Sequence, residues 1–469
     1  MKSLTKPEIN ASTHPVKILQ FGEGNFLRGF VDYMVDVANE KIDFNSNVQL
    51  VQPIPQGLKN LLDKQDSLYH VLLQGLKNGK SYEETRLITC LEGINNPYDS
   101  YEDYLALGEN PELRFIISNT TEAGIQFDPE DKNPGILPKT FPGKLSALLY
   151  HRFVHFEGDP SKGLILIPCE LIDKNGENLK KCILNYASLW ELPTHFSEWI
   201  EQHCIFCNTL VDRIVPGFPR DTIAEIQKNL GYEDNLVVMA EPFHLWVIEG
   251  PAEVEKEFPL HKAGLDVKFV TNQTPYRTRK VRILNGAHTS LVPYAYLQGL
   301  RTVRESVEHP EVGAWLRELI FEEIVPTLDM DQTELKAFAD AVLERFANPF
   351  IVHELKSIAL NSISKFKVRV LPSLLAYHEQ KNKWPEKLIT AFAATILFYK
   401  GKVAGEAMPL NDDQEILEFF AQAWNDRENL VTTVLQNTSL WGQDLSQQKG
   451  LASVLEQALL QLEGVLSPS

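Results

Sequence analysis

The sequence has no apolar run long enough to cross a membrane, which takes about 20 residues. Its longest apolar run extends from Leu388 to Tyr399. The first residues, MKSLTKPEINASTHP, also lack the apolar segment of a secretory signal. We therefore expect a cytoplasmic protein with no membrane partner.

Cysteine is scarce, with five residues in the whole chain. The five are Cys90, Cys169, Cys182, Cys204 and Cys207. An odd number in a long chain does not resemble a disulfide framework. Cys204 and Cys207 form a C-x-x-C, but no second cysteine pair or H-x-x-x-H follows to complete a zinc site. We therefore predict reduced thiols that pack in the interior, and no bound metal.

Basic residues are in deficit, since 45 Lys and Arg stand against 63 Asp and Glu, for a formal net charge of -18. Nucleic acids and anionic membranes bind through attraction between phosphate groups and a basic surface. We therefore expect neither as a partner. If the substrate is an anion, its site must contain a local cluster of Lys, Arg or His.

The 469 residues, 43% of them hydrophobic, are enough for two domains with separate cores. The first half alternates continuous apolar runs with amphipathic stretches, which predicts a parallel sheet covered by helices on both faces. The predicted strands are Val16 to Gln20, Val48 to Gln52, Phe115 to Ser118 and Leu164 to Pro168.

From about Pro275 onward the apolar residues recur with the helical period, and strand signals become rare. The segment Leu451 to Leu466 shows this pattern most clearly. The charged stretch Glu253 to Thr274 is the predicted joint between domains. We therefore predict an α/β nucleotide-binding domain at residues 1–274 and a mainly α-helical substrate domain at residues 275–469.

The segment FGEGNFLR, residues 21–28, follows the first predicted strand. Two glycines two apart at a strand-to-helix turn let main-chain N–H groups approach a pyrophosphate. Leu27 occupies the place of the third glycine in G-x-G-x-x-G, so an ordinary loop is the alternative. The position on the first strand of an α/β pattern favours NAD binding. The candidate cofactor-binding residues here are Phe21, Gly22, Gly24, Asn25, Phe26 and Arg28.

Two other strand ends carry candidate cofactor-binding residues. Gln52 ends the second strand, where an acidic residue usually holds the adenosine ribose. Glutamine can bond a ribose hydroxyl but lacks the charge that repels a 2′-phosphate, so NAD is preferred over NADP without being required. The loop after the third strand adds Asn119, Thr121 and Glu122, because open α/β sheets bind ligands at carboxyl ends. A helix-capping loop is the alternative.

The segment from Thr274 to His288 contains a possible proton-transfer centre. Thr274 and Pro275 predict a helix start. At about 100° per residue, Lys280, Asn285 and His288 lie at about 0°, 140° and 80°, within one arc. Oxidation of a secondary alcohol needs a base for the hydroxyl proton and a donor for the developing alkoxide. The alternative is a basic surface helix that ends at Asn285-Gly286.

The motifs FGEGNFLRGF and KVRILNGAHTSL resemble those of the polyol-specific long-chain dehydrogenases related to mannitol 2-dehydrogenase. Between them, LVDRIVP is similar to that family's V-D-R-I-x-P signature and adds Asp212 to the cofactor candidates. The resemblance implies a Rossmann-type domain, a helical domain and hydride transfer without zinc. It also implies that Lys280 is the general base, that Asn285 polarises the carbonyl, and that His288 orients a substrate hydroxyl.

Three further motifs, SNTTEAGI, CELIDKNG and RFANPF, are most similar to the branch of the family that interconverts D-altronate and D-tagaturonate. Mannitol-type members have C-D-N where this chain has Cys169-Glu170-Leu171. They also have an arginine eight residues before the position of Lys365, where this chain has Ser357. These departures favour a sugar-acid substrate over a neutral polyol.

A local excess of basic residues surrounds Lys365, in His353, Lys356, Lys365, Lys367 and Arg369. From these we predict His353, Lys365 and Arg369 as substrate-binding residues. Lys365 and Arg369 are four apart on a predicted helix and are the candidates for a substrate carboxylate. A solvated basic face is the alternative.

The expected activity is therefore NAD-dependent interconversion of D-altronate and D-tagaturonate in hexuronate catabolism, by a monomer or small homo-oligomer. Fructuronate reductase and a mannitol-type polyol dehydrogenase are alternatives that share the catalytic residues. A non-catalytic NAD-binding sensor is a third, although a sensor has no need of the base Lys280.

Overall fold

The structure is a computed structural model that describes residues 1–9, 13–121 and 123–466. The chain divides into two compact units. The N-terminal unit comprises Met1–Gln74 and Ser81–Gln273, and the helical unit comprises Gly75–Lys80 and Thr274–Ser469.

The N-terminal unit alternates strands and helices along the chain. Its strands are β1 (Lys2–Ser3), β2 (Val16–Phe21), β3 (Asn47–Val51), β4 (Tyr69–Lys77), β5 (Lys80–Ile88), β6 (Leu91–Asn95), β7 (Phe115–Ser118), β8 (Ile165–Pro168), β9 (Ile205–Phe206), β10 (Asn208–Asp212), β11 (Tyr232–Glu233), β12 (Val238–Ala240), β13 (Leu245–Glu249) and β14 (Val267–Val270). Its α-helices are α1 (Lys6–Ile9), α2 (Asn25–Gly29), α3 (Val31–Ile42), α4 (Lys59–Lys64), α5 (Tyr101–Ala106), α6 (Phe141–His155), α7 (Asn175–Leu189), α8 (Thr194–His203), α9 (Ile223–Leu230) and α10 (Ala252–Glu257).

The main sheet of this unit has six strands in the order β6-β3-β2-β7-β8-β9, and its neighbours pair in parallel. Numbered along the chain this is the order 3-2-1-4-5-6, typical of Rossmann folds, so the predicted fold class is confirmed. Phe21 pairs with Ser118, and Ser118 pairs with Pro168. The loops that follow β2, β7 and β8 therefore emerge at one edge of the sheet.

Consecutive residues of the central strands pack into two different apolar clusters. Ile18 belongs to one cluster and Leu19 to the other, and Ile117 and Ile116 divide in the same way. Side chains alternate across a strand, so both faces of the sheet are covered. This explains why these strands are continuous apolar runs, from which the sequence correctly predicted them.

Three smaller sheets of this unit were not predicted from the sequence. They have the strand orders β12-β4-β5, β10-β13-β14 and β1-β11. The segment interpreted as the joint between domains, Glu253 to Thr274, contains most of α10 and all of β14, which pairs in parallel with β13. Most of that segment is therefore regular structure of the N-terminal unit.

A buried carboxyl group lies beside the glycine turn of this unit. The Gln20 amide donates to the carbonyl of Gly22 and to Asp32, each at 3.1 Å. Asp32 is fully buried, and burial raises its pKa from 3.8 to about 7, although Gln20 and Arg28 act in the opposite direction. Its ionised form therefore destabilises the folded state.

We expect Asp32→Asn to stabilise the protein increasingly as the pH rises from 5 to 8. The pKa of Asp32 is higher in the folded state, so wild-type stability declines above pH 4 and the cost is complete above about pH 7. The rise from 3.8 to about 7 corresponds to about 4 kcal/mol. Urea unfolding at pH 5 and pH 8 measures the effect. The exposed control Asp43→Asn should show no such trend, and equal behaviour of the two variants would contradict the expectation.

The helical unit consists mainly of α-helices. These are α11 (Thr274–Arg279), α12 (Gly286–Leu297), α13 (Val303–Glu308), α14 (Pro310–Glu318), α15 (Gln332–Phe346), α16 (Leu355–Ile358), α17 (Ser362–Arg369), α18 (Leu371–Lys381), α19 (Glu386–Phe398), α20 (Gln414–Ala423), α21 (Leu430–Gln436), α22 (Thr438–Trp441) and α23 (Leu451–Leu466). Lys280–Asn285 and Leu319–Ile324 are π-helical, and β15 (Lys402–Val403) pairs with β16 (Glu406–Ala407).

The longest apolar run of the sequence forms the centre of the helical unit. Helix α19 is buried over most of its circumference and packs against α12 and α23. Helix α23 buries the predicted stripe, from Leu451 through Leu455 to Leu462. In the part of the chain that the structure describes, no helix combines the length and apolar character of a membrane span.

All five cysteines are buried free thiols, as predicted. Burial raises the pKa of Cys204 and of Cys207 to about 12. Over residues 1–9, 13–121 and 123–466, no group of three or more His, Cys, Asp or Glu side chains is arranged to hold a metal ion.

Candidate active site

The glycine turn after β2 has the geometry that its sequence predicted. Gly22 has φ 121°, and a Cβ there would lie 3.1 Å from the carbonyl oxygen of Asn119. A side chain at this position would therefore be strained. A Cβ at Gly24 would meet nothing within 4 Å, so the main chain before α2 is open to a ligand.

The glycine turn lines a cleft of about 410 Å³ at the switch point between β2 and β7. Open α/β sheets bind ligands at this point. The lining includes the glycine turn, Pro53 and Ile54 after β3, the loop after β7 and the segment before α6: Gly22, Glu23, Gly24, Pro53, Ile54, Asn119, Thr120, Thr121, Ala123, Gly124, Gln126, Lys139, Thr140 and Phe141. Of the predicted cofactor residues, Gly22, Gly24, Asn119 and Thr121 therefore reach the cleft.

Three other predicted cofactor residues of the FGEGNFLR segment serve packing instead. Phe21 is fully buried against the rings of Tyr104 and Phe141. Phe26 stacks on Phe30 with ring centroids 5.0 Å apart. Arg28 is 2% exposed and donates to the carbonyls of Glu23 and Leu236. The buried side chains of Phe21 and Arg28 therefore do not line the cleft, whereas Phe26 is only partly buried.

The structure also changes the interpretation of Gln52. Its amide nitrogen donates to the carbonyls of Ile54 and Pro55, at 2.9 and 3.1 Å, so it folds its own loop and is not directed to a ribose. Asn25 is exposed and accepts a hydrogen bond from Arg28. Asp212 is buried at the end of β10. Glu122 lies outside the described residues.

The cleft residues suit a dinucleotide. Gly24 leaves room for a phosphate group at the start of α2, where main-chain N–H groups favour anions. Thr121 supplies a hydroxyl group for ribose or phosphate oxygens, and Lys139 supplies a cation. Apolar surface for a base comes from Ile54 and Phe141.

The predicted proton-transfer residues lie on one continuous helical stretch of the helical unit. It begins with α11, passes through the π-helical segment Lys280–Asn285 and continues as α12. The alternative that the helix ends at Asn285-Gly286 is therefore wrong.

The π-helical segment improves the alignment of these residues. In an α-helix, positions 280 and 285 would be about 140° apart. In a π-helix, residue i+5 hydrogen-bonds back to residue i, so Asn285 lies almost above Lys280. His288 follows Asn285 by three residues on α12, which keeps it on the same side.

His288 is held by an aromatic neighbour in a basic environment. Its ring stacks on Phe346 with centroids 4.1 Å apart and meets the His353 ring edge-on at 5.2 Å. Burial lowers the pKa of His288 well below 6.5, and the charges of His353 and Arg345 lower it further. Its Nε2 is buried, with no hydrogen-bond partner among residues 1–9, 13–121 and 123–466. A neutral imidazole with an unused nitrogen is therefore available to a substrate.

The other predicted substrate residues lie close to this histidine. Arg369 donates to the Thr289 hydroxyl, next to His288, at 3.4 Å. A Cβ at Gly286 would lie 2.9 Å from the carbonyl oxygen of Arg369, so the glycine lets α17 approach α12. Lys365 and Arg369 also contribute to the lowered pKa of His288. The helical unit thus places His353, Lys365 and Arg369 near His288, and the helical stretch that carries His288 also carries Lys280 and Asn285.

This group is electrostatically suited to an anion. Burial lowers the pKa of Arg369 and, together with the charge of Arg369, that of Lys365. Positive groups that destabilise one another in a partly buried site are stabilised by a bound carboxylate. The local basic cluster that an anionic substrate requires is therefore present.

Comparison with known families agrees with this geometry. Residues 16–262 match the Mannitol dehydrogenase Rossmann domain, and residues 272–463 match the Mannitol dehydrogenase C-terminal domain. The chain belongs to the mannitol dehydrogenase family. The resemblance based on its motifs is confirmed, and the chain is a dehydrogenase that uses a nicotinamide cofactor.

Relatives within the mannitol dehydrogenase family include three proteins named altronate oxidoreductase. The chain is 48% identical to that of Phocaeicola vulgatus, over 99% of this chain and 98% of the relative. It is 51% identical to that of Bacillus subtilis, over 92% and 90%. It is 46% identical to that of Yersinia enterocolitica, over 98% and 97%. The branch suggested by SNTTEAGI, CELIDKNG and RFANPF is confirmed by these names.

Two solved structures of about 22% identity share the fold. Mannitol 2-dehydrogenase of Pseudomonas fluorescens, in a ternary complex with NAD and D-mannitol, matches with a TM-score of 0.67 and 23% identity, over 98% of this chain and 97% of that chain. A substrate-free D-sorbitol dehydrogenase matches with a TM-score of 0.80 and 22% identity, over 96% and 93%.

Sequence reasoning missed two groups of site residues in this family member. Thr120, Lys139 and Thr140 line the cleft, but they carry no motif that distinguishes them from loop residues. Phe346 stacks on His288 and belongs to the motif RFANPF. The aromatic ring in this motif is the feature of the sequence that could have identified Phe346 as a site residue.

Proposed function

We propose that the protein interconverts D-altronate and D-tagaturonate with NAD. The observation that carries this proposal is the cationic group of Lys365 and Arg369 beside His288, within a protein of net charge -18. The names of the relatives that are 46–51% identical support the same substrate.

Each of the three aligned residues has one part in the reaction. The nicotinamide, when bound, supplies or accepts the hydride. Lys280 takes the hydroxyl proton of altronate during oxidation and returns a proton to the carbonyl oxygen during reduction. The Asn285 amide donates to that oxygen as it becomes negative. The neutral His288 holds a neighbouring substrate hydroxyl, and Lys365 and Arg369 bind the carboxylate.

The preference for NAD over NADP has support at the end of β3. The Glu23 carboxylate accepts a hydrogen bond from the Leu58 main-chain N–H at 3.3 Å and lines the cleft. Ile54 and Pro55 hold the Gln52 amide, so this strand end offers a carboxylate and an apolar side chain. A 2′-phosphate would be repelled there.

Initial rates of cofactor oxidation test the proposal directly. NADH and NADPH are supplied in parallel with D-tagaturonate, D-fructuronate and D-fructose, and the absorbance of the reduced nicotinamide is followed. We expect the highest kcat/KM with tagaturonate and NADH. A higher kcat/KM with fructuronate or fructose would assign the sister activity or a polyol dehydrogenase, and NADH binding without turnover of any substrate would identify a sensor.

Lys365→Ala should raise the KM for tagaturonate at least about tenfold, because it removes a charge-assisted hydrogen bond to the carboxylate. Lys365 already donates to the Ile358 carbonyl at 2.8 Å, and its ammonium group keeps two further donors for the substrate. The KM for a neutral ketose should change little. Lys356→Ala is the matched control, since Lys356 is exposed and pairs with Glu354. Equal effects on the charged and neutral substrates would refute the assignment.

A further inference from the structure

Glu170 is a buried carboxylate that no step of the proposed reaction uses. It lies just beyond β8, in the motif CELIDKNG, and is 1% exposed. Burial raises its pKa, and hydrogen bonds from Ser118 and Thr120 act in the opposite direction. A carboxylate in such a place must be satisfied by hydrogen bonds to be tolerated.

The Glu170 carboxylate accepts three hydrogen bonds from the end of the neighbouring strand and the loop that follows it. One oxygen accepts from the Ser118 hydroxyl at 3.0 Å. The other accepts from the main-chain N–H of Thr120 at 3.2 Å and from the Thr120 hydroxyl at 3.0 Å. One side chain therefore determines both the main-chain and the side-chain position of Thr120.

The main chain of Glu170 is itself held in place by Asn175. The Asn175 amide nitrogen donates to the carbonyls of Pro168 and Glu170, each at 3.1 Å. The Asn175 side-chain oxygen accepts from the main-chain N–H of Thr209 at 2.8 Å. Asn175 is fully buried, and it fixes the main chain that carries the Glu170 side chain.

The loop that Glu170 holds is tight and strained where it reaches the cofactor cleft. Thr121, which lines the cleft, has φ 75°, a conformation that a β-branched residue rarely adopts. A Cβ at Gly124 would lie 1.9 Å from the Thr120 hydroxyl oxygen, so the loop folds back on Thr120. Such strain persists only where neighbouring structure imposes it, and Glu170 bonds Thr120, the residue directly before Thr121.

We propose that Glu170 is a positioning residue for the nicotinamide cofactor, which acts through Thr120 to keep the main chain of residues 119–121 in its binding conformation. This inference rests on the proposed function, in that the cleft is taken to hold NAD. The carboxylate does not touch the cofactor. The two hydrogen bonds from Thr120 fix the start of the loop before binding, so less conformational entropy is lost when the cofactor binds.

The direct test measures the Kd for NADH by fluorescence titration, together with the thermal midpoint Tm. Glu170→Ala should raise the Kd at least about tenfold, because it removes both hydrogen bonds to Thr120 and the one to Ser118. Glu170→Gln should stay within about threefold of wild type, since the amide oxygen can accept from Thr120 and the amide nitrogen can donate to the Ser118 hydroxyl. The KM for tagaturonate should change far less than the Kd for NADH.

Asn208→Ala is the matched structural control. Asn208 is a buried amide of the same unit, and its side chain bonds Glu177 and Glu249. It should lower Tm without changing the Kd for NADH. Equal weakening of NADH binding by Asn208→Ala and Glu170→Ala, at an equal loss of Tm, would show a general structural effect and overturn the proposal.

Thr120→Val provides the same test if Glu170→Ala does not fold, because it keeps the side-chain volume and loses the hydroxyl that donates to Glu170. The Kd for NADH should rise at least about threefold, and an unchanged Kd would overturn the proposal.

If the wild-type protein binds neither NADH nor NADPH, the proposed function fails. If it binds NADH and Glu170→Ala binds equally well, only the positioning role fails.

Discussion

Lys280→Ala is expected to lower kcat for tagaturonate reduction by about 10²- to 10⁴-fold, the range that a positioned acid or base contributes. Lys280 opens the π-helical segment and is aligned with Asn285 and His288. Steady-state rates give kcat, and fluorescence titration gives the Kd for NADH. The Kd should stay near the wild-type value, because the cofactor cleft is built from residues of the N-terminal unit.

Two further measurements separate loss of the amine from loss of structure. Ethylamine added to Lys280→Ala should restore part of the activity, since it supplies a proton-transfer group to the space that the side chain vacates. Lys336→Ala is the control, because Lys336 is an exposed lysine of α15 in the same unit. A kcat for Lys280→Ala within tenfold of the control would refute the role of Lys280.

Asn285→Ala is expected to lower kcat by about 10²- to 10³-fold, the cost of removing one donor to a developing oxyanion. Asn285→Asp should be worse than Asn285→Ala, because a carboxylate repels the negative charge that forms on the substrate oxygen. Steady-state rates of the three proteins give this order. This order of activities distinguishes an electrostatic role from a packing role. If Asn285 served only to pack, the nearly isosteric Asn285→Asp would be milder than Asn285→Ala.

Asn382→Asp controls for the introduction of a negative charge into the helical unit. Asn382 is exposed at the end of α18 and should tolerate the change with little loss of activity. If Asn285→Asp is as active as Asn382→Asp, Asn285 does not stabilise the oxyanion.

The Rossmann-type sheet was predictable because its strands are buried on both faces, as Ile116 and Ile117 show by packing into opposite clusters. Strand β5 was not predictable in the same way. Its residues Lys80–Ile88 are mostly polar and only partly buried, so tertiary pairing with β4 decides their structure.

Within the site, spacing along the sequence predicted that Lys280, Asn285 and His288 share a helix, but not that part of this helix is π-helical. The π-helical segment leaves no periodic signal that differs from an α-helix over so few residues. Arg28 and Gln52 were misassigned because a motif fixes the main-chain turn without showing which side chains the core will use.

The central claim is that the site selects a carboxylate, and one pair of substrates tests it most directly. D-Tagaturonate and D-tagatose differ in that the acid carries a carboxylate where the sugar carries a hydroxymethyl group. With NADH as cofactor, kcat/KM for tagaturonate should exceed that for tagatose by at least about 100-fold, because the acid alone satisfies Lys365 and Arg369. Comparable values for the two substrates, or a higher value for tagatose, would contradict the claim.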